Sequence, residues 1–166
     1  MVAYRRPPNL KEKIVRAKIP PVQSRPKRKQ HGMKKCPYTC LTCPYVKEIK
    51  TIKSTTSKFQ HDIEWAVNCQ TSNIVYCVSC DKCGEQYVGQ SEKTLSIRFG
   101  QHRGYVRNKN LDKATGHHFN LPGHSLSDMK VSIIEKVHTP DAMMRETRES
   151  HFIMEMNTKY KVMTQC

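Results

Sequence analysis

Ser72-Asn-Ile-Val-Tyr76-Cys-Val-Ser-Cys80-Asp-Lys-Cys83-Gly-Glu-Gln-Tyr87-Val-Gly89 is the stretch that decides the fold. It contains two short runs of β-favouring residues, and each run carries one tyrosine. A Cys-x-x-Cys-Gly turn with the spacing of a zinc knuckle joins the two runs. The pattern predicts a hairpin that is pinned at its turn by metal ligands and holds Tyr76 and Tyr87 in a fixed relation. Cys77 points away from Tyr76 and is expected in the core.

The positive charge of the chain is concentrated at its beginning. The 166 residues carry a formal net charge of +15. Residues 1–35 contain 12 lysines and arginines against one acid, Glu12, which gives this segment a net charge of +11. Its prolines predict a basic, mostly extended arm with one short helix over Leu10 to Ile19. Such an arm binds phosphate backbones or anionic surfaces, and a targeting or solubilising tail is the alternative.

Two classes of protein are disfavoured by the sequence. No segment approaches the ~20 apolar residues of a membrane-spanning helix, so a membrane partner is not expected. No apolar run follows the basic start, so we expect a nuclear or cytoplasmic protein and not a secreted one. In a reducing compartment the eight cysteines indicate metal ligands or free thiols, and a disulfide framework is the alternative.

The elements after the hairpin are predicted from periodicity and capping signals. They are a helix over residues 91–108, a short helix over 113–121, a strand over 129–137 and a last helix over 139–157. Ser91 is the predicted N-cap of the first of these helices. Thr139-Pro140 is predicted to open the last one, with the proline at the first helical position.

Two groups of candidate zinc ligands are separated along the chain. Cys80 and Cys83 need two further ligands to complete a tetrahedral site, and three histidines follow at positions 117, 118 and 124. The spacing leaves open which two of them serve, and the predicted set is Cys80, Cys83, His118 and His124. Free thiols and surface imidazoles are the alternative. A second, more loosely spaced zinc set consists of Cys36, Cys40, Cys43 and Cys69.

Two predicted helices carry candidate catalytic side chains. Arg98 and His102 lie four residues apart on one helical face, and the planar fork of an arginine matches two phosphate oxygens. Glu149 falls on the face of the last helix that should meet the sheet, where a carboxylate is costly unless it is paired or binds a metal. The alternatives are a solvated helix face for Arg98 and His102, and an ion pair with Arg145 or Arg148 for Glu149.

Together these positions resemble the GIY-YIG nuclease superfamily, and within it the endonuclease domain of Penelope-like retroelements. Asn73-Ile-Val-Tyr76 stands where the first motif tyrosine belongs, and Tyr87-Val-Gly89 is the second motif. The stretch Leu95-Ser-Ile-Arg98 supplies the helix arginine, and Arg148-Glu149-Ser supplies the metal-binding glutamate. In that retroelement branch two cysteines between the motifs form a zinc site with downstream histidines, and Cys80 and Cys83 stand in their place.

The resemblance implies both a fold and an activity. The fold is of the α/β (α+β) class, with a small three-stranded antiparallel sheet flanked by helices and a zinc knuckle. The activity is Mg²⁺-dependent DNA cleavage, in which Glu149 holds the ion and Arg98 offsets charge in the transition state. Tyr76 activates or orients the attacking water, and Tyr87 holds water and phosphate in line. His102 is a further candidate for proton transfer or phosphate contact.

The chain divides into three parts. Charge and proline content predict an arm over residues 1–35, cysteine content predicts a loop-rich subdomain over 36–71, and the resemblance predicts a nuclease domain over 72–166. Two departures stand out: the first motif has Asn73 in place of its glycine, and the chain stops at Cys166, before the family's late asparagine motif. A C-terminally truncated domain is therefore expected.

The predicted partner is DNA, with RNA or a retroelement reverse transcriptase as further partners. The upstream cysteines resemble the segment that links such a nuclease to its reverse transcriptase. A catalytically inactive, zinc-stabilised nucleic-acid-binding module is the alternative function.

Overall fold

The computed structural model of the protein describes residues 31–38 and 40–158. This part of the chain contains three α-helices: α1 (Leu95–Arg107), α2 (Ala114–His118) and α3 (Ala142–Glu155). The strands are β1 (Gly32–Met33), β2 (Thr51–Lys53), β3 (Gln60–Asp62), β4 (Ala66–Val67), β5 (Ile74–Cys80), β6 (Gln86–Ser91) and β7 (Met129–Lys136). Most of the predicted basic arm, with its short helix, lies outside the described residues. No helix in the described part is long and apolar enough to span a membrane.

A three-stranded antiparallel sheet in the order β6-β5-β7 forms the centre of the fold. The central strand β5 is almost wholly buried, and its side chains alternate between the two faces of the sheet. Tyr76 and Val78 pack in one cluster with Phe99 of α1. Cys77 packs in a second cluster with Phe152 of α3. The predicted hairpin, third strand, flanking helices and buried Cys77 are thus confirmed.

The pairing of β5 with β6 places both motif tyrosines on the face that α1 covers. Tyr76 pairs with Gly89, and Val78 pairs with Tyr87, so the two rings lie side by side. A Cβ atom at Gly89 would lie 2.7 Å from the Tyr76 hydroxyl oxygen and 3.0 Å from a Tyr87 ring carbon. The absence of a side chain at Gly89 is therefore what lets the two tyrosines approach each other.

Asn73 precedes β5 in a left-handed backbone conformation, with φ at 51°. Glycine adopts this region most readily, and asparagine tolerates it better than most residues. The Asn73 Oδ1 atom also accepts a hydrogen bond from Arg145 Nη1 at 3.2 Å. Asparagine can therefore stand where the resemblance led us to expect glycine, because it meets the same backbone requirement.

Two predicted helix starts are wrong. Ser91 is the last residue of β6, and the N-cap of α1 is Thr94, whose side chain accepts a backbone N–H of the first turn. The N-cap of α3 is Asp141, whose carboxylate accepts a backbone N–H at 2.9 Å, so Pro140 lies before the helix. In both cases the chain continues beyond the predicted cap before the helix begins, and a later side-chain oxygen, of Thr94 or Asp141, takes the capping role.

The cysteine-rich segment packs along the open edge of the central sheet. Within it β1 pairs with β4 in parallel, and β2 pairs with β3 in antiparallel orientation. The Lys47 N–H donates to the Val131 carbonyl at 3.0 Å, which joins this segment to β7. Met33 and Ile63 reach into the same apolar cluster as the face of the sheet under α1. The segment therefore covers an edge strand that would otherwise present unpaired backbone groups.

We expect Gly89→Ala to lower the free energy of unfolding by about 1–3 kcal/mol, because the added methyl group must displace Tyr76 within a packed core. Urea unfolding followed by circular dichroism measures the change. Gly104→Ala on α1 is the matched control, since no atom beyond the adjacent residues and the nearby helix backbone lies within 4 Å of a Cβ atom there. Unchanged stability of Gly89→Ala would contradict the close packing of the two rings.

Candidate functional site

Side chains from β6, α1 and α2 converge on a cleft of about 390 Å³. Its lining residues are Tyr87, Arg98, His102, Tyr105, Asp112, Lys113, Ala114 and Thr115. Three of the predicted catalytic residues are therefore in one place. A larger depression of about 600 Å³ lies beside Thr56 and Asn157. We favour the smaller cleft as the functional site because polar groups with shifted pKa values converge there.

Tyr76 lies behind the cleft and is fully buried. Its hydroxyl oxygen accepts a hydrogen bond from Arg98 Nε at 2.9 Å and lies 2.8 Å from His102 Nε2. Because an unpaired hydroxyl in the core is costly, these bonds hold the phenol, guanidinium and imidazole in one arrangement. Burial raises the pKa of Tyr76 well above its usual range, and the charge of Arg98 only partly opposes this.

His102 is the neutral centre of the network. Burial, followed by the positive charge of Arg98, lowers the pKa of His102 to about 3. Its Nδ1 atom lies 3.0 Å from Thr115 Oγ1. With Arg98 donating to the Tyr76 oxygen, the phenol proton points to Nε2, and the imidazole donates its Nδ1–H to Thr115. This tautomer is assigned from the hydrogen-bond network. The role of Thr115 was not predicted from the sequence, because no motif marks this residue.

Arg98 and Tyr87 form the wall of the cleft in front of Tyr76. The Arg98 side chain is also held by Gln101, whose Oε1 atom accepts from Nη1 at 2.8 Å. Burial raises the pKa of Tyr87, and the negative charge of Glu149 raises it further. The cleft thus presents an anchored cation next to a partly exposed phenol.

Glu149 lies half-buried on α3. Its charge raises the pKa of both motif tyrosines, so the carboxylate lies within electrostatic reach of the hairpin. The two arginines that the sequence offered as its partners each lie close to another acid. Arg145 is 3.8 Å from Glu92, and Arg148 is 2.6 Å from Glu135.

The buried face of α3 includes an arginine that the sequence did not mark as buried. Ala142 is exposed, whereas the side chain of Arg145 is buried. The guanidinium is tolerated there because it donates to Asn73, to Gln90 at 3.2 Å and to the Pro140 carbonyl at 2.8 Å. Arg145 therefore joins α3 to the start of β5, a role that helical periodicity does not reveal.

The structure brings together Cys80, Cys83, His118 and His124, with all four ligand atoms within 4.8 Å of one another. The Cys83 Sγ atom lies 3.5 Å from His118 Nε2, and tetrahedral zinc would hold such a pair about 3.5 Å apart. Both ring nitrogens of His124 are buried without a hydrogen-bond partner in the described part of the chain. This ligand set fits structural zinc.

The cysteines at positions 36, 40, 43 and 69 form the second convergent group. Within the described residues every cysteine is an unbridged thiol, which disfavours the disulfide alternative there. Hydrogen bonds to Cys43 and Cys40 raise the pKa of Cys36 to about 11. Burial acts to raise the pKa of Cys40, but hydrogen bonds from Cys43 and Cys36 lower it to about 7.

A family model described as GIY-YIG catalytic domain matches residues 72–161, more than half of the chain. The chain belongs to this family. Neither the curated proteins nor the solved structures compared with the chain give a match. A GIY-YIG domain indicates a nuclease, so its substrate is nucleic acid, and nucleases of this family generally use divalent metals. The matched residues include the cleft, Tyr76, Glu149 and the Cys80 group, whereas Cys36, Cys40, Cys43 and Cys69 lie before them.

The shifted pKa of His102 predicts a pH dependence. An unfolded histidine titrates near pH 6.5, so between about pH 6.5 and about pH 3 the unfolded chain binds a proton that folded His102 does not. Keeping His102 neutral therefore costs the folded state nothing above the unfolded pKa of about 6.5. As the pH falls from about 6.5 to about 3, proton binding increasingly favours the unfolded chain, and the free energy of unfolding falls. We expect the His102 ring nitrogen shifts in NMR spectra to stay constant from about pH 8 to about pH 5.

His102→Gln is the matching variant for this prediction. It removes the titrating group, so its stability should fall less than that of the wild type as the pH is lowered toward 5. An imidazole signal of His102 that titrates near its ordinary pKa would contradict the buried, neutral assignment.

Proposed function

We propose that the chain is a Mg²⁺-dependent DNA endonuclease that hydrolyses phosphodiester bonds in the cleft at Arg98. One observation carries the proposal: Arg98 lines the cleft and is fixed there by its hydrogen bond to the buried hydroxyl of Tyr76. This arrangement lies in a domain of a nuclease family. Such a cation suits a phosphate that gains negative charge during attack.

Arg98 is the proposed phosphate-binding residue. Its bonds to Tyr76 and Gln101 hold the guanidinium before substrate arrives. A cation that needs no reorganisation stabilises the transition state more than a mobile one does. Lys113 also lines the cleft and adds positive charge at its rim.

The two tyrosines are proposed to have different roles. Tyr87 lines the cleft and can contact the attacking water or the phosphate. Tyr76 is fully buried and its pKa is raised, which opposes a role as general base. Of the two roles that the sequence left open, this favours orientation, in which Tyr76 positions Arg98 and His102. His102, neutral near pH 7, is likewise proposed as a positioning residue.

Glu149 is the proposed ligand of the catalytic Mg²⁺. A carboxylate oxygen is the protein ligand that Mg²⁺ prefers, and the charge of Glu149 reaches Tyr87 at the cleft. When bound, the ion supplies Lewis-acid stabilisation of the phosphate and of the leaving oxygen. Glu149 is half-buried on α3, and its charge raises the pKa of both hairpin tyrosines.

A structural zinc ion is proposed at Cys80, Cys83, His118 and His124. These ligands lie at the β5–β6 turn, on α2 and in the loop after α2. Because the site is closed by four protein ligands, the ion would stabilise the fold without taking part in the reaction. It would hold β6, which carries Tyr87, next to α2, which carries Thr115.

The same resemblance supports further parts of the proposal. We assign the domain to the Penelope-like branch of retroelement nucleases on the order of its cysteine and histidine motifs. Residues 1–35, with a net charge of +11, would contact the phosphate backbone. A retroelement reverse transcriptase or RNA is a further partner, and the protein would act in the nucleus or cytoplasm.

The test is a plasmid-nicking assay with Mg²⁺ on wild type and Glu149→Gln. We expect the variant to lose cleavage and to keep DNA binding, because it loses a metal ligand but no positive charge. Glu146→Gln, an exposed carboxylate on the same helix, is the control and should cleave normally. Full cleavage by Glu149→Gln would reject the assignment, and DNA binding without cleavage by the wild type would favour the non-catalytic alternative.

For Arg98→Lys we expect cleavage to fall by on the order of 10²–10³, since the ammonium cannot bond both Tyr76 and a phosphate in fixed geometry. Arg107→Lys at the exposed end of α1 controls for the change of residue type. Single-turnover rates measure the effect. Wild-type rates for Arg98→Lys would mean that only its charge matters.

A further inference from the structure

Four cysteine sulphurs meet next to α1, outside the residues that the family model matches. Cys36 lies 3.3 Å from Cys40 and 3.1 Å from Cys43, and Cys40 lies 3.1 Å from Cys43. Cys69 comes from a distant segment, and its sulphur lies 3.7 Å from that of Cys43. The two sulphurs of a disulfide are about 2.05 Å apart. The sulphurs around a tetrahedral zinc, with Zn–S bonds of about 2.3 Å, are about 3.8 Å apart.

We propose that these four cysteines bind one zinc ion and that this centre clamps α1, the helix that carries Arg98 and His102, in its working position. Only the link to catalysis rests on the proposed nuclease function. The metal site itself rests on the four sulphurs, which come from two segments and all lie within 4.8 Å of one another. Four thiolates complete the coordination of zinc, so this would be a closed structural site.

The backbone around Cys40 and Cys43 is already folded as a ligand loop. The Cys43 N–H donates to the Cys40 carbonyl at 3.2 Å, and the Val46 N–H donates to the Cys43 carbonyl at 3.2 Å. Among the described residues of 36–45, Thr42 is the only buried residue that is not a cysteine. Because the loop buries so little apolar surface, metal binding would supply the free energy that orders it.

The cluster contacts α1 at successive positions along one side of the helix. The Ser96 N–H donates to the carbonyl of the proposed ligand Cys69 at 2.8 Å. One turn on, the ring of Phe99 lies 5.3 Å from that of Tyr45, two residues after Cys43. Arg103 then donates to the Leu41 carbonyl, inside the ligand loop, at 3.0 Å. These three contacts would restrain both the shift of α1 along its axis and its rotation.

Arg103 also matches the charge of the proposed centre. Zinc with four thiolates carries a net charge of −2, which is costly near a protein core unless a cation lies close by. Arg103 is buried, and its guanidinium carbon lies 5.7 Å from the Tyr45 ring centroid. Its Nε atom has no hydrogen-bond partner within the described residues. A buried cation that binds the ligand loop through Leu41 would offset the charge of the metal centre.

The metal site is tested by zinc analysis of the full chain purified under reducing conditions. We expect two zinc ions per wild-type chain and one per chain in Cys43→Ser and in Cys83→Ser, which remove one ligand from different sites. Cys77→Ala, at a buried cysteine outside both clusters, should keep both ions. If Cys43→Ser does not fold, Cys83→Ser still decides: one tightly bound zinc supports the four-cysteine site, and none overturns it.

Cobalt identifies the ligands of the remaining ion. Cobalt-loaded Cys83→Ser should absorb more strongly in the thiolate-to-cobalt charge-transfer region than cobalt-loaded Cys43→Ser, because four thiolates are bound in one case and two in the other. Equal absorption would overturn the assignment of four sulphur ligands.

The clamp is tested by amide hydrogen exchange, which does not depend on cleavage. Removal of the zinc at this centre, in Cys43→Ser, should speed exchange of the α1 amides by on the order of tenfold or more while the α3 amides change little. Cys77→Ala is again the control. A slower nicking rate in Cys43→Ser would then extend the result to catalysis. If the α1 amides exchange as in the wild type after this zinc is lost, the clamp is refuted, whether or not the protein proves to be a nuclease.

Discussion

The buried hydroxyl of Tyr76 is the constraint on which the geometry of the site depends. A hydroxyl in the core must be hydrogen-bonded, and its partners come from two residues of α1, Arg98 and His102. Because these residues are one helical turn apart, the two bonds determine how α1 is rotated against β5. Gly89 leaves the space that this approach needs. Because the buried hydroxyl needs both partners, it fixes the positions of the Arg98 guanidinium and the His102 imidazole.

The two charged residues of the proposed reaction come from helices on opposite faces of the sheet. Arg98 lies on α1, which packs on the face of Tyr76, and Glu149 lies on α3, which packs on the face of Cys77. Both influence the pKa of Tyr87 on β6, an edge strand of the central sheet. An edge strand is accessible from either side, so a cation and a carboxylate from opposite faces of the sheet could act on one substrate at β6.

The two ligand clusters border the main apolar cluster and each joins separate segments of the chain. One joins the hairpin turn to the region of α2, and the other joins the cysteine-rich segment to the start of α1. The cleft lies between α1 and α2, the helices that these clusters adjoin. Zinc bound at the two proposed sites would supply folding free energy through a few side chains.

The sequence by itself determined the hairpin, the third strand, the flanking helices and the spacing of Arg98 and His102, because these depend on local periodicity. It also indicated the candidate zinc ligands, because closely spaced cysteines mark such sites. Only the tertiary structure decided that Tyr76 is buried while Tyr87 lines the cleft, that Thr115 pairs with His102, and which histidines meet the cysteines. These facts depend on the register of β5 with β6 and on the path of distant segments. Residues that are far apart in the chain meet only when the packed core fixes their distance, and no local pattern records that distance.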